Sequence, residues 1–244
     1  ASDKAGYNFM VAAKPELPDN IEVAVKVEKP DTDVEAIPDE KQEAVKAAVE
    51  AIAIPEAPLA AAAGTTASQL TTNQATEARA ELAKTLGDNN VKEDTPVTVV
   101  IQPYMEIKAV ALDTTANNAS LTLEITPMYK TIATTADKVD NIVLADGSIN
   151  AVEIGKAQKL AVTAPVEITI PLPTGFTINS DTAYVKHTKD NGRVYYHQAS
   201  VTSEQNVTKV TFTNDKGFST FEISGQAPSA SVTFKKDAGT TETV

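Results

Sequence analysis

From Asp94 onward the chain changes character: Val, Ile and Thr alternate with polar residues in short runs, and Gly, Pro, Asn or Asp closes most of them. A period of two puts every second side chain on one face of an extended strand, so this region must form strands with one buried and one wet face. The runs read as strands at Val97–Gln102, Tyr104–Leu112, Ser120–Ile125, Met128–Thr134 and Asn141–Leu144. More follow at Lys159–Val162, Val166–Leu172, Ala183–His187, Arg193–Val201, Val207–Thr213 and Phe218–Ile223. Short strands in such quick succession predict an antiparallel sandwich or barrel rather than a parallel sheet. Asp190-Asn191-Gly192 and Asp215-Lys216-Gly217 read as hairpin turns between the strands on either side.

Upstream, Ile21, Val23, Val25 and Val27 alternate with Glu22, Ala24, Lys26 and Glu28, which predicts one half-buried strand ended by Pro30. From Asp39 the apolar residues Val45, Val49 and Ile52 follow a helical spacing, and that helix should stop before Pro55. An Ala-rich turn around Ala60–Gly64 then leads to a second helix from about Asn73 to Leu86. Ala75, Ala78, Leu82 and Leu86 lie on its inner face and Gly87 follows its end.

The expected fold class is therefore mainly β with a helical segment: an antiparallel β-sandwich, immunoglobulin-like or related, preceded by one strand and two helices. Residues 1–94 hold the strand and the helices packed on the sandwich. Residues 95–226 form the sandwich, as one body rather than two halves at 95–164 and 165–226. Residues 227–244, with a strand at Ser231–Phe234, lead toward a following module. The opening Ala1-Ser2-Asp3 reads as the start of a mature or excised fragment.

With 244 residues, 42% of them hydrophobic, the chain can bury a substantial core. Its 33 acidic residues outnumber 21 basic ones, for a formal net charge of −12. Phosphate backbones and anionic membranes would both be repelled by that charge, so neither nucleic acid nor a membrane surface is an expected partner. Cysteine is absent, which removes disulfides, thiolate metal sites and Cys nucleophiles. The longest apolar-rich stretch, Ile52–Ala63, is broken by Pro55, Glu56 and Pro58 and is too short to span a bilayer.

The chemistry-bearing residues are few. His187 and His197 flank the Asp190–Gly192 turn, so strand pairing could bring them together. Their spacing supplies no further metal ligands, and His187 shares its parity with Tyr195 and His197, as an ordinary hairpin residue does. Tyr195 and Tyr196 are adjacent, so one points to each face of its strand, one toward the core and one toward solvent. These four, His187, His197, Tyr195 and Tyr196, are the candidate ligand contacts. No catalytic, cofactor or metal residue is assigned, because no phosphate loop, nucleophile elbow or zinc-binding helix motif occurs. Asp31-Thr32-Asp33-Val34-Glu35 has the alternating oxygens of a calcium loop but lacks its Gly and distal Glu. Asp113–Asn118 and Asp146-Gly147 are similar in kind. No cofactor is expected beyond adventitious Ca²⁺. The many Lys and Asn residues of the β region raise a Lys–Asn isopeptide crosslink, but no Lys, Asn and acid trio stands out in the sequence.

Several stretches carry a resemblance: Val97–Ile107, Leu123–Lys130, Pro165–Pro173, Tyr184-Val185-Lys186-His187 and Gly217-Phe218-Ser219-Thr220-Phe221. Together, over about Val97–Ser224, they resemble β-sandwich modules of large multi-domain cell-surface proteins of gut Firmicutes. The resemblance implies export, display on the cell surface or wall, a Gram-positive source, and partnership with other modules of the same protein, a glycan, or a host or bacterial surface protein. It implies a non-catalytic spacer or adhesin-like display module, with carbohydrate binding in an envelope-bound glycan-utilisation system as the alternative. It carries over no binding residues.

Overall fold

A computed structural model describes residues 17–87, 90–115, 119–135, 150–176, 178–204, 206–225, 233–236 and 240–243. The expected strand Asn141–Leu144 and the Asp146-Gly147 turn lie outside these residues. The elements are β1 (Ile21–Val25), β2 (Asp31–Asp33), α1 (Asp39–Glu50), α2 (Glu56–Ser68), α3 (Thr72–Leu86), β3 (Val97–Asp113), β4 (Ser120–Thr134) and β5 (Ala151–Lys159). They continue with β6 (Val166–Pro171), β7 (Thr182–Thr188), β8 (Val194–Glu204), β9 (Val207–Asn214), β10 (Thr220–Ser224), β11 (Thr233–Lys236) and β12 (Thr240–Thr243). The first ten strands belong to one mixed, hydrogen-bonded sheet, and β11 pairs with β12 separately. Among the described residues no helix is long and apolar enough to cross a membrane.

The sheet is not purely antiparallel, which corrects the expectation: β1 and β2 both pair parallel with β3, in the registers Ile21↔Val97 and Asp31↔Glu106. Parallel neighbours require a long crossover, and the helices between β1 and β3 supply it, as in any strand–helix–strand unit. The described residues hold three helices rather than two, because the Ala-rich stretch expected to turn is α2. Pro58 sits in its first turn, where backbone N–H groups lack helical partners anyway.

Four expected strands merge into two. β3 runs through Pro103 and β4 through Pro127. The Pro103 carbonyl accepts from the Glu28 N–H at 2.9 Å, past the end of β1, so the missing proline N–H faces the segment between β1 and β2. Likewise the last bond from β4 toward β10 is Ile125 N–H to the Ser219 carbonyl at 2.9 Å, one alternation before Pro127.

The chain divides into two compact units. The first takes the described residues up to Glu28, Ala60–Pro103 and Tyr129–Leu160. In it the inner face of α3 (Ala75, Ala78, Leu82) packs on Ile21, Val97, Val99 and Ala133, while Val100 turns the other way onto Ile132 and Ala151. A capping box starts α3: Thr71 Oγ1 accepts from the Gln74 N–H at 3.3 Å and the Thr71 N–H donates to Gln74 Oε1 at 2.9 Å. Arg79, on the same helix, donates to the carbonyls of Lys92, Glu93 and Thr95 and so fixes the approach to β3.

The second unit takes Lys29–Leu59, Tyr104–Met128 and the described residues from Ala161 on. Its strands follow the order β3-β4-β10-β7-β8-β9-β6, with α1 packed against β2 and β6. Val45, Ala48 and Val49 form the buried face of α1, and Ala53 makes a two-bond bridge to Thr169 at the outer side of β6. Asp190–Gly192 makes the expected β7–β8 hairpin, with Gly192 at φ +79°. Asp215–Gly217 does not make a hairpin: β9 pairs with β8 and β6, β10 with β4 and β7, so the turn feeds a crossover. The buried Asn214 shapes it, its Nδ2 donating to the Gly217 carbonyl at 2.7 Å and its Oδ1 accepting from the Lys216 N–H at 3.2 Å.

Leu82 has no exposed surface. Leu82→Ala should therefore cost about 2–5 kcal/mol in urea denaturation, whereas Lys84→Ala, exposed two positions later, should change stability by less than about 0.5 kcal/mol.

Candidate functional site

Alternation along β4, β10, β7 and β8 sorts the second unit's polar chemistry onto two faces. Inward point Leu121, Leu123, Ala183, Val185, His187, Ala199, Phe221 and Ile223, all buried. Register places His187 opposite Tyr195 and Val185 opposite His197, so three of the four candidate contacts share this inner face. Tyr196 alone points outward and is 53% exposed. The split of the two tyrosines between faces is as the sequence required.

On the inner face His187 lies against Phe221, ring centroids 4.2 Å apart, and its Nε2 is 2.9 Å from Ser219 Oγ. The Ser219 hydroxyl donates to the Thr188 carbonyl at 2.8 Å, so it accepts from His187 Nε2–H. That tautomer leaves His187 Nδ1 as an acceptor facing His197 Nε2 at 3.4 Å. His197 in turn packs on Phe212, ring centroids 5.5 Å apart, with the Thr213 backbone close by.

Burial pushes His187 down to about 4, helped by the positive charge of Lys189 and by His197. Burial also lowers His197, opposed by nearby Asp215 and the Thr213 carbonyl. The serine–histidine contact is thus a closed hydrogen-bond chain: the hydroxyl is spent on a backbone carbonyl and the imidazole is a weak base. Among the described residues no group of three or more His, Asp or Glu side chains converges on one point. The acidic stretches are used locally. Asp31–Asp33 is β2 rather than a loop, Asp33 Oδ1 accepts from the Glu35 N–H at 2.9 Å, and Asp113 Oδ1 accepts from Thr115 N–H at 2.8 Å. Those Thr115 bonds hold the Asp113 carboxyl below the usual range.

Two features were missed in the sequence. Ser219 carries no signal of its own within the Gly217–Phe221 run, yet it anchors His187. Tyr184 has the outward parity of Tyr196, which the alternation of β7 could have shown. A groove of about 400 Å³ also opens between α1 and the β6 and β8–β9 ends, walled by Ala44, Ala47, Ala51, Leu172 and Val207. A Glu204–Lys209 ion pair of 2.9 Å lies at its side. The chain matches no protein-family model, and no curated protein or solved structure matches it.

In the fold His187 binds its proton only near pH 4, against 6.5 in the unfolded chain. The unfolded state therefore holds more protons between these values, and stability present above pH 6.5 is lost as pH falls toward 4, by about 3 kcal/mol. His197, shifted in the same direction, adds to the loss. Urea midpoints at pH 7 and 4.5 should separate clearly for the wild type and less for His187→Gln; equal separations would show that His187 is not held neutral.

Proposed function

We propose that the chain is a non-catalytic module of a bacterial surface protein, extracellular or wall-associated, that works as a structural spacer or adhesin-like display domain among other modules. The observation that carries this reading is the fate of the second unit's reactive side chains. His187, His197 and Ser219 are drawn inward and hydrogen-bonded to one another, with Tyr195 on the same face, while the outward rows of the same strands carry short hydroxyls, the tyrosines Tyr184 and Tyr196, and paired charges such as Lys186–Glu222. A display module asks this of its scaffold: a well-packed core and a soluble face free of reactive groups. The resemblance of Val97–Ser224 to surface modules supports the same reading.

Within the second unit we read the fold as sandwich-related. Phe212 on β9 and Phe221 on β10 come within 5.9 Å, although β7 and β8 lie between these strands in the sheet order. Inner faces that meet in this way are what a sandwich core requires.

An antibody raised against the chain should label intact cells of the source organism as strongly as permeabilised ones. Labelling only after permeabilisation would remove the display role.

A further inference from the structure

We propose that the outward face of β10, β7 and β8 is a binding site for a neutral glycan, with pyranose rings stacked on Tyr196 and Tyr184. Register lays the face out in rows. Glu222, Lys186 and Tyr196 are direct neighbours in one row, and Ser224, Tyr184 and Gln198 form the next. Tyr184 and Tyr196 are therefore diagonal partners on one face, a relation that spaces residues by about 7–8 Å on an antiparallel pair, within reach of aromatic side chains.

Exposure singles out the same place. The large apolar or aromatic side chains most open to solvent among the described residues are Val194, Tyr196 and Val207. Two of these, Val194 and Tyr196, share a face of β8 and sit two residues apart. Tyr196, at 53% exposed, contributes little to the core and leaves much of its side chain open to solvent.

The polar surroundings select the ligand. Lys186 and Glu222 pair at 3.2 Å on this face, so a donor and an acceptor stand side by side with their charges cancelled. Gln198, exposed beside them, brings both kinds of group in one amide. An anionic ligand would meet Glu222 and Glu124 on a chain of net charge −12. An apolar protein surface would desolvate the ion pair without replacing its hydrogen bonds. A sugar meets both demands, because its hydroxyls bond the pair and the amide while its C–H face covers the tyrosine rings. The site is independent of the display role, since a module that binds no glycan can still present its neighbours.

The test is retardation of the full chain in native gels cast with soluble neutral polysaccharides: xylan, galactomannan, mixed-linkage β-glucan and starch. At least one should slow the wild type. Tyr196→Ala and Tyr184→Ala should each weaken that interaction about tenfold or more with an unchanged thermal melt, while Lys46→Ala, on α1, leaves it intact. The proposal is overturned if none of the four polysaccharides retards the chain, or if the Tyr184→Ala/Tyr196→Ala double variant is retarded like the wild type.

Discussion

The structure of the second unit depends on one constraint: every second residue of β4, β7, β9 and β10 must leave water. Leu121, Leu123, Val185, Phe221, Ile223, Val210 and Phe212 are buried to within a few per cent, and the residues between them are not. At roughly 25 cal/mol per Å² of apolar surface, slipping any of these strands by one residue would expose its whole inner row and bury its polar one. Register is therefore fixed by burial, and it decides what each polar side chain can do. His187 is inside because its position is inward, and once inside it must find partners, which Ser219 and His197 provide.

How much of this was legible follows from the same physics. Where one face is buried and the other wet, as in β1, β7, β8 and β9, alternation located the strand to within a few residues, and the 45, 49, 52 spacing located α1. Where both faces are covered the signal fades: Val99–Met105 of β3 is buried without interruption, and Pro103 then looked like a break. α2 was missed because alanines give no amphipathic contrast and Pro55 and Pro58 look like turn residues. β5 was missed because Gly155, at φ +71°, interrupts a run that is mostly solvent-facing. Pairing partners lie beyond what alternation reports, so the parallel β1–β3 contact and the crossover at Asp215–Gly217 appeared only in three dimensions. At the candidate site, parity correctly placed His187, Tyr195 and His197 together and Tyr196 apart. The Ser219 and Tyr184 partnerships needed the register of β7 against β10 and β8.

The two faces suggest a division of labour. Inside, aromatic and imidazole rings, Phe221, His187, His197 and Phe212, stack in a chain that fills the core and holds its polar atoms without charge near neutral pH. Outside, hydroxyls, a neutralised ion pair and two tyrosines face solvent. A scaffold of this kind separates stability from recognition, so its outer residues can change at little cost to the fold.

The face assignment along β7 can be read directly, because the chain has no cysteine and every introduced thiol is unique. Single cysteines placed in turn from Ala183 to Thr188 should label with a water-soluble thiol reagent in a period of two. Positions 184, 186 and 188 should react fast, and positions 183, 185 and 187 should stay protected under native conditions. Uniform labelling, or fast reaction at 185 and 187, would contradict the inner-face placement on which the account rests.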